Sequence, residues 1–355
     1  MKRRDFLMST GLTSAMLMVP GMLNRRLYGS SPTGEGLFNI PRPLDTRVYV
    51  KPLFGIRIPV ELHEGPCRAG DPAGWDRQAE KERASRAFQA WKKNTEESLG
   101  NNAHLLEPEY VEYAGDHLID ENTWNRILAQ DDQVDLYLLS RYRIPGLGTK
   151  TDKPMLMVGN ACSTLDVTAK LDSEGHEIYG AIDMEQAAGL ITALKVRKAL
   201  GETKVLVVSN GDWDYEYNMV RSNLDKNIMR EKFGFDAVYI DIPEMMQHFE
   251  SLQKKRKYIL EAESITSRLV SGAEKNTMSF SAIQDSVMYY LTTKSLMEKY
   301  GCNAFTPTCQ EFCVSRLPVK YRVTPCLTHS LLKDEGYASG CEADLNVTFS
   351  IALQI

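Results

Sequence analysis

No Gly-x-Gly-x-x-Gly and no Gly-x-x-x-x-Gly-Lys-Ser/Thr occurs in the chain, so the sequence carries no motif for nucleotide binding. Internal repetition at the period of a solenoid is lacking as well. Positive charge does not dominate. The 42 Lys and Arg against 47 Asp and Glu leave a formal net charge of −5, which argues against a nucleic acid or an anionic membrane as the main partner. After the N-terminus there is one basic cluster, Lys254-Lys255-Arg256-Lys257, and a single short run on a helix reads as a solvated face. The seven cysteines are odd in number and widely scattered, which excludes a disulfide framework. No His or Cys pair follows Cys309 and Cys313 at zinc-site spacing, so no structural zinc is expected there. His63, His104, His117, His176 and His248 lack ligand spacing too, and none is given a function.

What is present is an ordinary globular composition, 43% hydrophobic and 25% charged residues, in a chain of 355. That is long enough for two domains of common size. The first residues are different. Lys2, Arg3 and Arg4 form a basic head, and an uncharged apolar stretch runs from Phe6 to Leu23, the pattern of a targeting segment. The paired Arg3 and Arg4 followed by Phe6-Leu7 resemble the twin-arginine export signal, with Lys2 where that consensus has Ser or Thr. Residues 1–30 are therefore expected to be the signal, and the twin-arginine translocase a partner. The expected destination is the periplasm, with membrane anchoring if the signal stays uncleaved, since the apolar stretch is near the lower limit for a bilayer span.

Residues 31–45 hold Gly, Ser and Pro without periodicity and read as a linker. From Val48 short apolar runs alternate with helical stretches. Runs at Val48–Val50 with Phe54–Val60, Tyr110–Tyr113, Val134–Leu139 and Met155–Val158 are separated by helical patterns near 76–98 and 121–130. A second series starts near Ile178. Asp183 caps a helix that Gly201 stops, and strands at Val205–Val208, Ala237–Ile240 and Asn303–Thr306 alternate with helices near 215–232, 244–269 and 279–300. Such alternation predicts βαβ units. The expected fold is α/β, two Rossmann-like domains with parallel sheets at 46–170 and 171–355. Asp212, Trp213, Asp214 and Tyr215 follow a strand's carboxyl end, where open α/β sheets bind ligands.

The most informative segment is the last. Cys341-Glu342-Ala343-Asp344 opens an apolar helical pattern in which Leu345, Phe349 and Leu353 are spaced by four. Carboxylates at a helix start also meet the macrodipole favourably, without any further role. The Glu-Ala-Asp segment before this helix, with Thr306-Pro-Thr-Cys-Gln310-Glu-Phe312 upstream, resembles the L-fucose and L-arabinose isomerase family. The resemblance covers most of 45–355 in architecture, and about 300–353 in identifiable residues. It implies a manganese-dependent aldose–ketose isomerase that works through an enediol, with a small sugar as substrate and a homo-oligomeric full-length protein. Glu342 would be both metal ligand and catalytic base, and Gln310 a substrate contact. Arg57, in Phe54-Gly-Ile-Arg-Ile58, would reach a neighbouring subunit's site. Glu311 and His329 have no family position and are given no role. The family's second carboxylate and its histidine ligand lie in a later barrel, beyond Ile355, so the second domain is expected to be truncated and the isomerase incomplete. The alternative expectation is a non-catalytic periplasmic carbohydrate-binding protein that closes around its ligand by hinge motion.

Overall fold

The computed structural model describes residues 37–58, 76–114, 118–140, 143–210 and 226–354. The chain is α/β with two parallel sheets. The signal residues Arg3 and Arg4, the acidic and aromatic loop at 212–215, and His63 and His117 lie outside the described residues.

The first sheet is built from β1 (Tyr49–Arg57), β2 (His104–Leu105), β3 (Glu109–Tyr113), β4 (Leu136–Leu139), β5 (Met155–Val158) and β6 (Ile178–Ala181). β2 pairs with Tyr49 and Val50, and β3 with Leu53 to Arg57. The two are therefore one edge strand interrupted at 106–108. On the other side of β1 follow β4, β5 and β6 in turn. The connecting helices are α1 (Arg77–Leu99), α2 (Glu121–Leu128), α3 (Cys162–Ser173) and α4 (Met184–Gly201). β4 and β5 are buried along their whole length, because helices cover both faces of a parallel sheet and neither face can be polar. One core gathers Leu53, Val111, Tyr137 and Met157, and a second on the opposite face gathers Val50, Leu138, Leu156 and Ile191. The boundary expected at 170/171 falls inside α3, and β6 beyond it pairs with β5 in the first sheet. β6, mostly part-buried, thereby forms the outer edge of the first sheet, beside β5.

The second sheet runs β8 (Asp236–Ile240), β7 (Lys204–Val208), β9 (Ala304–Pro307), β10 (Ala338–Ser339). Between its strands lie α5 (Lys226–Phe233), α6 (Ile242–Leu252), α7 (Arg256–Gly272), α8 (Phe280–Tyr300), α9 (Cys309–Val314), α10 (Leu317–Tyr321) and α11 (Pro325–Asp334), and α12 (Leu345–Ala352) follows β10. The sequence pattern holds no signal for β10, α10 or α11. Capping side chains fix many of the helix starts. Asp120, Asp183, Asp241 and Ser279 each accept from the backbone N–H three residues on, worth about 1 kcal/mol per cap. The larger core packs α6, α7 and α8 on one face of the sheet, through Phe249, Ile265 and Tyr289, and the opposite face packs Val205, Val207 and Phe235.

The stretch expected as linker is part of this packing where it is described. Ile40 belongs to the larger core, and the Asn39 N–H donates to Glu298 Oε1 at 2.7 Å. Lys254 to Lys257 span the end of α6 and the start of α7, and all four are exposed.

Candidate functional site

In each sheet the first strand in chain order lies between the second and the third, so the direction of winding reverses beside it. Open α/β sheets bind ligands in the crevice that such a reversal leaves beyond the strands' carboxyl ends. The two reversals here lie between β1 and β4, and between β7 and β9.

Beside the first lies a cleft of about 620 Å³ lined by Arg57, Glu80, Trp91, Asn94, Ser140 and Asp183, among others. Arg57 ends β1 and is exposed. Ser140 follows β4 and is 2% exposed, and its Oγ finds no hydrogen-bond partner among the described residues. Trp91 packs against Phe54 with ring centroids 5.6 Å apart, which fixes one wall of the cleft.

The other two expected site residues follow β9 and β10 of the second sheet. Gln310 is exposed in the first turn of α9, directly after β9. Its backbone N–H donates to Glu342 Oε2 at 3.0 Å, a contact across 32 positions of chain. Gln310 and Glu342 are thus brought together, and Arg57 stands apart from them at the end of the other sheet. Glu342 sits after β10 in a loop pinned to β9. The Gly340 N–H donates to the Phe305 carbonyl at 3.1 Å, and the Ala343 N–H to the Pro307 carbonyl at 2.9 Å. Between those two bonds the backbone turns through the left-handed region at Glu342 (φ 64°) and Ala343 (φ 55°). Non-glycine residues adopt that conformation only where their surroundings enforce it, at a cost of order 1 kcal/mol or more each. Asp344 leaves the loop as the cap of α12, accepting from the Asn346 and Val347 N–H groups at 2.8 and 3.1 Å.

Four further groups in this region were assigned nothing from sequence. Glu311 spans the reversal itself, accepting from Ser209 Oγ at 3.0 Å and from the Asn210 N–H at 2.8 Å. It thereby fastens the start of the β7 loop to α9. His329 on α11 is 7% exposed, with Nδ1 2.7 Å from Ser339 Oγ on β10. A ring nitrogen of His329 and the sulfurs of Cys309 and Cys341 lie within 4.8 Å of one another. Burial, with a smaller contribution from Lys333, lowers the imidazole pKa to about 4. Burial pushes the Cys309 thiol up to about 12; nearby Cys341 adds to this, and a hydrogen bond from the Glu342 backbone opposes it. The one signal that marks these groups in advance is topology: each lies at or next to the carboxyl end of a strand of the second sheet or on the helix packed beside it.

Manganese does not fit the donors gathered here. It favours carboxylate, carbonyl and water oxygens, whereas the one cluster of three ligating side chains among the described residues is Cys309, His329 and Cys341. Glu342 stands beside that cluster, and its Oε2 already accepts the Gln310 N–H.

No protein-family model matches the chain, and no curated protein matches it.

Proposed function

We propose that the protein is an exported, sugar-processing relative of the L-fucose and L-arabinose isomerases. Its polyol ligand sits over the carboxyl ends of β7 and β9, and Glu342 is the carboxylate that moves the proton. The observation that carries this reading is the Glu342–Gln310 contact. A carboxylate held in a left-handed turn after β10 is bonded to the first turn of α9, the helix that follows β9 beside the winding reversal. Aldose–ketose interconversion needs a base that takes the proton from C2 and returns it to C1, while a hydroxyl proton passes from O2 to O1. A positioned carboxylate does the first task and contributes about 10²–10⁴-fold. The hydrogen bond to Oε2 orients the group and leaves its second oxygen to act. Arg57, distant from this pair, suits the resemblance in which that segment reaches the site of a neighbouring subunit. No manganese-dependent step enters the reading.

The test is a panel of aldoses offered to the protein, with and without added manganese, followed by ketose detection and by the shift of the melting temperature. The expected outcome is a raised Tm with at least one aldose, with ketose formation that Glu342→Gln abolishes and sugar binding that this variant retains. An absence of both binding and conversion across the panel rejects the reading.

The runner-up is a non-catalytic carbohydrate-binding protein, and one observation favours it. The first-sheet cleft joins an aromatic wall, Trp91, to polar Asn94, Arg57 and Glu80, the combination that suits sugar hydroxyls over an apolar ring face. Metal-free sugar binding that Trp91→Ala removes and Glu342→Gln leaves intact would establish this second reading in place of the first.

A further inference from the structure

Zinc-site spacing is lacking in the sequence, yet the fold assembles a ligand set from three separate elements. Cys309 opens α9 after β9, His329 lies on α11, and Cys341 follows β10. The geometry points to a binding site for a borderline-soft divalent cation of the zinc class, held by Cys309, His329 and Cys341. It is independent of the sugar reading.

Several observations converge. The two sulfurs and one imidazole nitrogen lie within 4.8 Å of one another. Tetrahedral zinc with Zn–S near 2.3 Å and Zn–N near 2.0–2.1 Å sets its ligand atoms about 3.5–3.8 Å apart, so closure takes adjustments of about an ångström. The donor set is chemically matched, because thiolate and imidazole select zinc over magnesium, calcium or manganese. His329 carries the independent sign. It is 7% exposed, Nδ1 is engaged by Ser339 Oγ at 2.7 Å, and Nε2 has no hydrogen-bond partner among the described residues. A buried polar nitrogen left bare costs about 1–3 kcal/mol. A ligating histidine has this same division of labour, one nitrogen oriented by a neighbouring oxygen and the other on the metal.

The sulfurs are prepared in the same way. The backbone bonds from Gly340 and Ala343 to Phe305 and Pro307 of β9 hold Cys341 beside Cys309. Cys341 is exposed, so the site opens to solvent on one side and leaves a fourth position for water, the arrangement of a site with three protein ligands. A loaded site would set a cation beside Glu342 and lock the loop on which the carboxylate sits.

The experiment uses the full-length protein, reduced and then desalted without chelator. It is titrated with zinc against a chromophoric chelator, and with cobalt while thiolate-to-metal absorption is recorded. One equivalent per chain is expected, with the near-ultraviolet and visible bands of tetrahedral cobalt bound to sulfur. Cys341→Ser and Cys309→Ser should each abolish the one-equivalent step, whereas Cys313→Ser and Cys326→Ser should leave it unchanged. Ser339→Ala, which removes the oxygen from Nδ1, should weaken zinc about 10–100-fold. Circular dichroism of each variant separates loss of ligand from loss of fold. The proposal is overturned if the reduced protein takes up neither metal, or if the cobalt bands survive in folded Cys341→Ser. It is equally overturned if peptide mass spectrometry of metal-free protein, freshly isolated, finds Cys309 joined to Cys341 as a disulfide.

Discussion

Lys294 is 4% exposed and Glu335 is 7% exposed, and their side chains meet at 2.6 Å inside the larger core. Two charges are expensive to remove from water, and the cost is met only when each finds further partners. Here the Tyr290 hydroxyl donates to the second oxygen of Glu335. The Lys294 ammonium lies 5.4–5.6 Å from the ring centres of Phe38, Tyr290 and Tyr337, within cation–π range. Burial, reinforced by the Glu335 carboxylate, drives the Tyr290 phenol pKa up, so the hydroxyl stays a donor. Glu335→Ala should cost about 3–5 kcal/mol, because it leaves the ammonium buried alone. Lys294→Met with Glu335→Leu should recover most of that loss. Urea denaturation of the two variants measures it, and equal losses would show that packing rather than charge dominates here.

His329 makes a second prediction at the residue scale. Its folded-state pKa lies near 4, below the ordinary imidazole value of about 6.5. Between those values the unfolded chain binds a proton that the folded chain refuses, so stability falls as pH drops through that window and is intact above it. The groups facing the ring are Lys333 on its own helix and Cys309 and Cys341 from the neighbouring elements. Metal-free protein should therefore lose on the order of 2–3 kcal/mol between about pH 7 and pH 4.5 through this group. His329→Gln should flatten that part of the profile, as read from urea midpoints at the two ends.

At the scale of elements, the loop joining β10 to α12 decides where Glu342 and Cys341 stand. Gly340 allows it: a Cβ there would lie 2.5 Å from Thr348 Oγ1 and 3.4 Å from the Thr348 nitrogen. Gly340→Ala should push α12 off the sheet at about 1–3 kcal/mol. The same change should displace the loop, so alkylation of Cys341 should change rate while that of Cys162 does not. Asp344→Ala removes the cap of α12 alone and should cost about 1 kcal/mol with little change at Cys341. Comparing the two separates damage to the helix from damage to the loop.

The same loop shows which parts of the fold can be read from sequence. β5 and β7 are continuous apolar runs between helical stretches, and α4 is announced by Asp183, so each is legible locally. β10 is two residues long, too short for any alternation to register, and it exists only because β9 pairs with it. β6 has the length and composition of a strand but nothing local that assigns it to one sheet or the other. The Glu342–Gln310 contact and the Cys309–His329–Cys341 cluster have the same origin. They depend on which strands lie side by side, a non-local outcome that residue spacing along the chain does not encode. The resemblance named Glu342 and Gln310 through local motif alone, and it had no counterpart for His329.

On the scale of the whole molecule, the two sheets are joined by more than the passage from α4 into β7. Residues 38–46 run across the second core before entering β1. The Phe38 ring lies 6.1 Å from that of Tyr258, and the Tyr337 hydroxyl donates to the Ile40 carbonyl at 2.9 Å. Thr46 Oγ1 then bonds Glu202 Oε2 at 2.9 Å, and the next residue's carbonyl accepts from Lys198 Nζ at 3.0 Å. One short segment thus carries side chains in the second core and continues without a break into the first strand of the first sheet. A hinge at this point would have to break those contacts, so the sheets should unfold together. Ile40→Ala removes a side chain buried to 7% exposure and should cost about 2–5 kcal/mol. Native-state hydrogen exchange should then show protection falling in parallel at β1 and at α8, although Ile40 packs on only one of the two cores. Loss confined to α8 would mean that the halves open separately. The first-sheet cleft would then be formed by a unit that moves on its own, which is the behaviour the carbohydrate-binding reading requires.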